Sequence, residues 1–223
     1  MSTARVAARA ALGRLGGREV GWVAAAAALV AASGVAGRGV PGYGSDPAVA
    51  HAALGVGVPL LAFALLRALL PGQLDLALYP WARHGVSRRR ALVAIGLAGS
   101  AVAAGAGMFL AVLGVATSRV PSDPQLAPDL VVSAGLGALG GAAYFAWVLA
   151  GARLGAVGPG LFVAVDWVLG AVGGATSLAV PRGPLRALAV SEPILDLPLY
   201  ASAPWLAGLG LVCWVFVLLR TPP

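Results

Sequence analysis

Residues 71–90 read PGQLDLALYPWARHGVSRRR. This is the one polar, strongly basic interruption long enough to form a structure of its own, and both its flanks are runs of Ala, Leu, Val and Gly. The chain has 223 residues, of which 60% are hydrophobic and only 10% charged, with a mean hydropathy of +0.91. Soluble domains carry about 25% charged residues. The composition therefore belongs to an integral membrane protein, and residues 71–90 become a loop between two membrane helices.

Crossing the hydrocarbon takes about 20 apolar residues per helix. Six segments qualify: 20–36, 48–70, 91–116, 130–150, 157–180 and 200–219. The expected fold is thus an all-α polytopic membrane protein, with a basic cytosolic segment (1–19) followed by a single six-helix transmembrane domain (20–223). The loop quoted above joins the second span to the third.

All 15 basic residues are arginine, and they set the expected orientation. With the N-terminus in the cytoplasm, 11 of the 15 fall inside: Arg5, Arg9, Arg14, Arg18, Arg67, Arg83, Arg88, Arg89, Arg90, Arg153 and Arg220. Positive charge concentrates on cytoplasmic loops, so both ends are expected inside. Arg38, Arg119, Arg182 and Arg186 fall outside, diluted by Asp46, Asp123, Asp129, Glu192 and Asp196. The net charge of +7 does not indicate nucleic acid, because the arginines lie between apolar runs rather than on a soluble face. Trp22, Trp147 and Trp205 fall near the expected interfaces, where amphipathic rings prefer to sit.

The N-terminal segment reads either as a helix lying on the inner leaflet or as a loose basic tail. The pairs Arg5/Arg9 and Arg14/Arg18 lie on opposite faces of a continuous helix, and Gly13, Gly16 and Gly17 can break it and reset the phase. Glycines inside the fourth span (Gly135, Gly137, Gly140, Gly141) and the fifth (Gly170, Gly173, Gly174) are expected to bring helices of this chain close together. Before the last span, Pro181, Pro184, Pro193, Pro198 and Pro204 divide the sequence into pieces too short to cross. Short helices at 185–191 and 194–199 are expected, as a re-entrant hairpin from the outer face or as a surface loop.

The chemistry of a catalyst is not evident. There is no phosphate-cradling Gly-rich loop, no HExxH and no paired-cysteine metal motif, and the single Cys213 lies in an apolar run. His51 and His84 fall on opposite sides of the membrane. No cofactor is expected on this chain. Asp166, the one acidic residue well inside a span, costs about 2.5–3.5 kcal/mol to insert ionised. It reads as a pathway or coupling residue, as a helix–helix hydrogen bond to a hydroxyl or backbone partner, or as a residue near the inner interface on a helix that starts later.

Within the loop, Gly72–Leu78 can form a short amphipathic helix, followed by Tyr79 and Pro80. Ser87 is a good N-cap for the third span, with Arg88, Arg89 and Arg90 as anchors to anionic headgroups. This arrangement resembles the membrane subunits of type-2 ATP-binding-cassette (ABC) exporters. That family has a cytosolic N-terminal segment, six spans and a coupling helix running G-x-L-x-x-x-L, then Pro, then an S-R-R-R-like entry to the third span. Gly72, Leu74, Leu78, Pro80 and Ser87–Arg90 stand at those positions. The sequence departs from the family in placing six residues, WARHGV, between Pro80 and Ser87.

The resemblance implies a permease in a bacterial inner membrane. It would pair with a separate ATP-binding subunit, which carries ATP and Mg, and with a second permease copy. The coupling residues are then Leu74, Leu78, Tyr79, Pro80 and Arg83. The low charge of the spans favours a lipidic or hydrophobic cargo. The alternative is a membrane anchor or scaffold subunit that transports nothing.

Overall fold

The computed structural model describes residues 3–38, 40, 45–120, 126–191, 193–195 and 198–222. Among them every regular element is helical and no strand occurs. Expected positions Asp123, Glu192 and Asp196 lie outside the described residues.

The chain opens with α1 (Thr3–Leu12), whose Ala7 and Ala11 are buried against α6 (Arg88–Ser118) while Arg5 and Arg9 face outward. The N-terminal segment is thus a helix packed on α6 rather than a loose tail. The helix stops before Gly13, and α2 (Gly17–Gly37) starts afresh with Glu19 Oε2 accepting from the Gly16 N–H at 2.9 Å. That restart resolves the conflict between the two arginine pairs.

Among the described residues, five helical stretches are long and apolar enough to cross a membrane. They are α2; the composite stretch Ser45–Arg83; α6; α7 (Leu126–Gly151) with a 3₁₀ turn to Leu154; and α11 (Leu199–Leu219). The composite begins as α3 (Ser45–Pro47), continues as a π-helical segment, Ala48–Gly57, becomes α4 (Val58–Leu69) and ends in α5 (Leu74–Arg83). Exposed Leu97, Val131, Val132, Leu211 and Val212 form an outer surface suited to lipid tails rather than water.

The fifth expected span takes a different form. Helix α8 (Gly158–Val172) has 15 residues, about 22 Å of rise. It ends where Gly173 and Gly174 adopt φ of +77° and +61°, a left-handed region that favours glycine. These two glycines terminate a helix instead of packing one. After α9 (Gly174–Ser177) the chain turns into α10 (Arg182–Val190), which buries Pro184, Leu185, Ala187 and Ala189 against the π-helical segment, α7, α8 and α11. The first short helix is thus folded into the bundle, not laid on its surface. The second is absent at Ile194 and Leu195, which form a bend and a turn, and residues 196–197 lie outside the described residues.

The most extensive packing joins α6 to α7, and here glycine acts as expected. A Cβ built on Gly137 would lie 2.3 Å from the Gly107 carbonyl oxygen, and one on Gly141 only 2.1 Å from that of Ala103. Backbone touches backbone, which is how helices associate where lipid removes the hydrophobic drive. Gly135, on the same helix, meets nothing within 4 Å.

Several arginines lie at the two ends of the bundle and bond to groups at or beside helix ends. At one end Arg14 donates to the Leu69 carbonyl (3.3 Å), Arg67 to Ala156 (3.1 Å) and Arg89 to Thr221 (2.7 Å). At the other, Arg38 donates to Thr117 (2.7 Å) and Arg119 pairs with Asp129 (3.2 Å). Trp147 and Trp205 use their indole N–H on carbonyls of Phe162 and Leu178, both at 2.8 Å, so each ties two segments together.

Candidate functional sites: the outer face of α5 and a buried node at Asp166

Helix α5 does not end at Tyr79–Pro80 as the motif implied. It runs three residues further and is closed by Gly85, with φ of +75°. The extra WARHGV residues are the helix's last turn and its stop. The N–H groups of His84 and Val86 both reach the Trp81 carbonyl at 3.1 Å, and Val86 is buried. Ser87 then caps α6 as expected, its hydroxyl accepting from the Arg90 N–H at 3.3 Å.

The two faces of α5 divide differently from expectation. Leu74 and Leu78, expected to point at a partner, are 2% and 0% exposed and belong to the chain's own core. Their i, i+4 spacing places both on one stripe, and that stripe is the inward one. The outward face carries Leu76 (67% exposed), Tyr79 (50%), Pro80, Arg83 and His84, the last four lining a shallow groove. Pro80 lacks an N–H, so the Leu76 carbonyl has no helical partner on this open side.

Arg88 leans over the Tyr79 ring, 5.9 Å from its centroid, and Arg89 is committed to Thr221. Of the three expected headgroup anchors, two therefore also hold protein. Asp75, in the first turn of α5, pairs with Arg153 at 3.0 Å, and Arg153 also donates to the Thr221 hydroxyl. These contacts join α5, the end of α7 and the end of α11 in one polar cluster. Nothing in the spacing of Asp75, Arg153 and Thr221 marks it beforehand.

Asp166 is fully buried in α8. Its Oδ2 accepts from the Tyr144 hydroxyl of α7 at 3.0 Å, and its Oδ1 from the backbone N–H of Arg182 at 2.9 Å. That N–H belongs to the first residue of α10, so the carboxylate caps a helix start and faces the positive end of its dipole. The hydrogen-bonding reading of Asp166 is the observed geometry.

The node extends through Arg182. Its side chain lies across Gly170, where a Cβ would come within 2.6 Å of the Arg182 Cδ, and its Nη1 donates to the Gly55 carbonyl at 2.9 Å. The Trp167 indole donates to the same carbonyl at 3.1 Å. Gly55 lies near the end of the π-helical segment, just before Pro59, whose missing N–H leaves a carbonyl of this turn without a helical donor. Backbone groups freed inside a membrane must be satisfied again by neighbours. Pro59 in an apolar span was the signal for this half of the node. Tyr144 and Arg182 carried none, since Arg182 reads as an outer-loop charge.

Among the described residues no three His, Cys, Asp or Glu side chains gather in a way that could hold a metal ion. Compared with known proteins, the sequence matches no family model, no curated protein and no solved structure.

Proposed function

We propose that this chain is the membrane subunit of an ATP-driven exporter of the ABC class, worked by a separate ATP-binding subunit that docks on the outer face of α5. In this reading α8 with the α9–α10 turn serves as the fifth of six spans, both chain ends are cytoplasmic, and a second permease copy completes the pathway. ATP and Mg reside on the partner. The protein lies in a bacterial inner membrane, and its cargo is lipidic or hydrophobic.

One observation carries this reading. At the arginine-rich end of the bundle a ten-residue helix between two membrane helices seats its inner stripe in the core and leaves an apolar and aromatic face, Leu76 and Tyr79, unburied. A cationic rim at Arg83 and Arg88 flanks that face. Closure of the ATPase would press on α5, and the Asp75–Arg153–Thr221 cluster would pass the displacement to α7 and α11.

The test is co-purification of the ATPase, with transport-coupled ATP hydrolysis as the second readout. The double variant Leu76→Asp, Tyr79→Ala should lose at least about tenfold in ATPase affinity, because buried apolar anchors dominate such interfaces. It should keep the wild-type melting temperature. Arg83→Ala should cost less, with an effect that fades at high salt. If wild-type protein brings down no ATPase under conditions that preserve membrane complexes, the anchor or scaffold role takes its place.

Orientation is checked separately. In a Cys213→Ala background, His84→Cys should react with a membrane-impermeant thiol reagent only from the cytoplasm, and Asp46→Cys only from outside. Labelling of both from the same side would overturn the arrangement of spans.

A further inference from the structure

We infer that the groove between the start of α2 and the last three turns of α4 is a binding site for an anionic phospholipid of the leaflet at the arginine-rich end. The groove measures about 370 Å³ and is chemically two-ended. Its end nearest the start of α2 and the close of α4 carries Arg18 and Arg67. Its walls are Trp22, Phe63 and Leu60, with alanines between them on α4.

The spacing gives the depth. Arg67 lies seven residues after Leu60 on a helix, so about 10 Å separates them along the axis. With the guanidinium groups at phosphate level, Leu60 and Phe63 lie among the first methylenes of an acyl chain. Trp22 (50% exposed) is one turn into α2, where an amphipathic ring prefers to sit.

The charges favour an anion. Two arginines meet a single acid, Glu19, and its carboxylate is already turned to the Gly16 N–H at the helix start. Arg67 holds the Ala156 carbonyl through Nη1, which fixes the guanidinium at the rim. Basic pockets between membrane helices on the cytoplasmic side are a recurrent way to hold anionic headgroups. A soluble anion would use the arginines alone. The apolar wall below them is what selects a lipid.

The experiment uses the full chain reconstituted in vesicles of phosphatidylcholine, with either dibrominated phosphatidylglycerol or dibrominated phosphatidylcholine as the quencher. The difference between wild type and Trp22→Phe isolates the quenching of Trp22. At equal quencher fraction, Trp22 should prefer the anionic lipid by about fivefold or more, the scale of one arginine attraction at an anionic surface. Arg18→Gln, on an exposed side chain, should bring the preference near unity while leaving the melting temperature unchanged. Arg67→Gln should do the same to the preference.

Equal quenching by the two lipids in wild type would overturn the site, as would a preference that survives in the Arg18→Gln, Arg67→Gln double variant. Inorganic phosphate should leave the preference untouched. Its abolition by millimolar phosphate would assign the arginines to a soluble anion and overturn the lipid. The outcome is independent of whether an ATPase binds α5.

Discussion

Gly137→Val is expected to abolish the native packing of α6 on α7. The new Cβ would meet the Gly107 carbonyl oxygen and carbon at 2.3 and 2.7 Å, and both are backbone atoms that cannot rotate away. The helices must separate, and the contacts around Ala103, Ala111 and Gly141 go with them. Overpacking in a well-filled core costs about 1–3 kcal/mol, and more where backbone has to move. Stability against thermal unfolding in detergent checks this, with Gly135→Val as the control. That position, two residues away, has open space around it. A control as damaging as the test variant would point to valine on this helix rather than to the crossing.

The second large effect is expected at Asp166. Asp166→Leu removes both acceptors at once and strands the buried Tyr144 hydroxyl and the Arg182 N–H. Each buried donor left unsatisfied costs about 1–3 kcal/mol. Tyr144→Phe removes a single hydrogen bond and leaves Asp166 with its helix-capping role, at a cost nearer 1 kcal/mol. Asp166→Asn keeps an acceptor for Arg182 and should fall between the two. The order Leu, Asn, Phe in melting temperature is the result that supports the node. Tyr144→Phe as harmful as Asp166→Leu would place the main interaction on the hydroxyl and not on the cap.

If the exporter reading holds, the same series separates structure from transport. A purely structural Asp166 would let Asp166→Asn lose export only as far as it loses folded protein. Export lost from fully folded Asp166→Asn would assign the residue to the pathway.

How far residue patterns reach can be seen on α5 and α8. Hydropathy placed α8, since an apolar run of spanning length needs no partner to be recognised, and the amphipathic pattern of a polar loop placed α5. The cap at Ser87 was equally visible, because capping is local. The facing of α5 was not. Leu74 and Leu78 share a stripe with Ala77, and an amphipathic pattern says which residues lie together without saying whether that stripe meets this chain or another. The packing of α5 against α6 decides it. The end of α8 was hidden for another reason. Gly173–Gly174 in an apolar run reads equally as a packing surface or as a break, and only the backbone conformation distinguishes them. The Asp166 node joins residues 55, 144, 166 and 182 from four elements, a coincidence that periodicity within one helix cannot carry.

The shortness of α8 also bears on the lipid around it. Its outer face, with Leu161, Val168 and Val172 exposed, offers about 22 Å of apolar wall where a bilayer's hydrocarbon measures about 30 Å. Such hydrophobic mismatch is relieved by thinning the neighbouring leaflet. In a spanning α8 the thinned side would be the one where the helix stops, at the glycines of residues 173–174, which share a small pocket with the exposed Arg186. If α8 serves as the fifth span, headgroups and water would be drawn inward there, and the membrane beside this flank would become a dimple rather than a flat sheet.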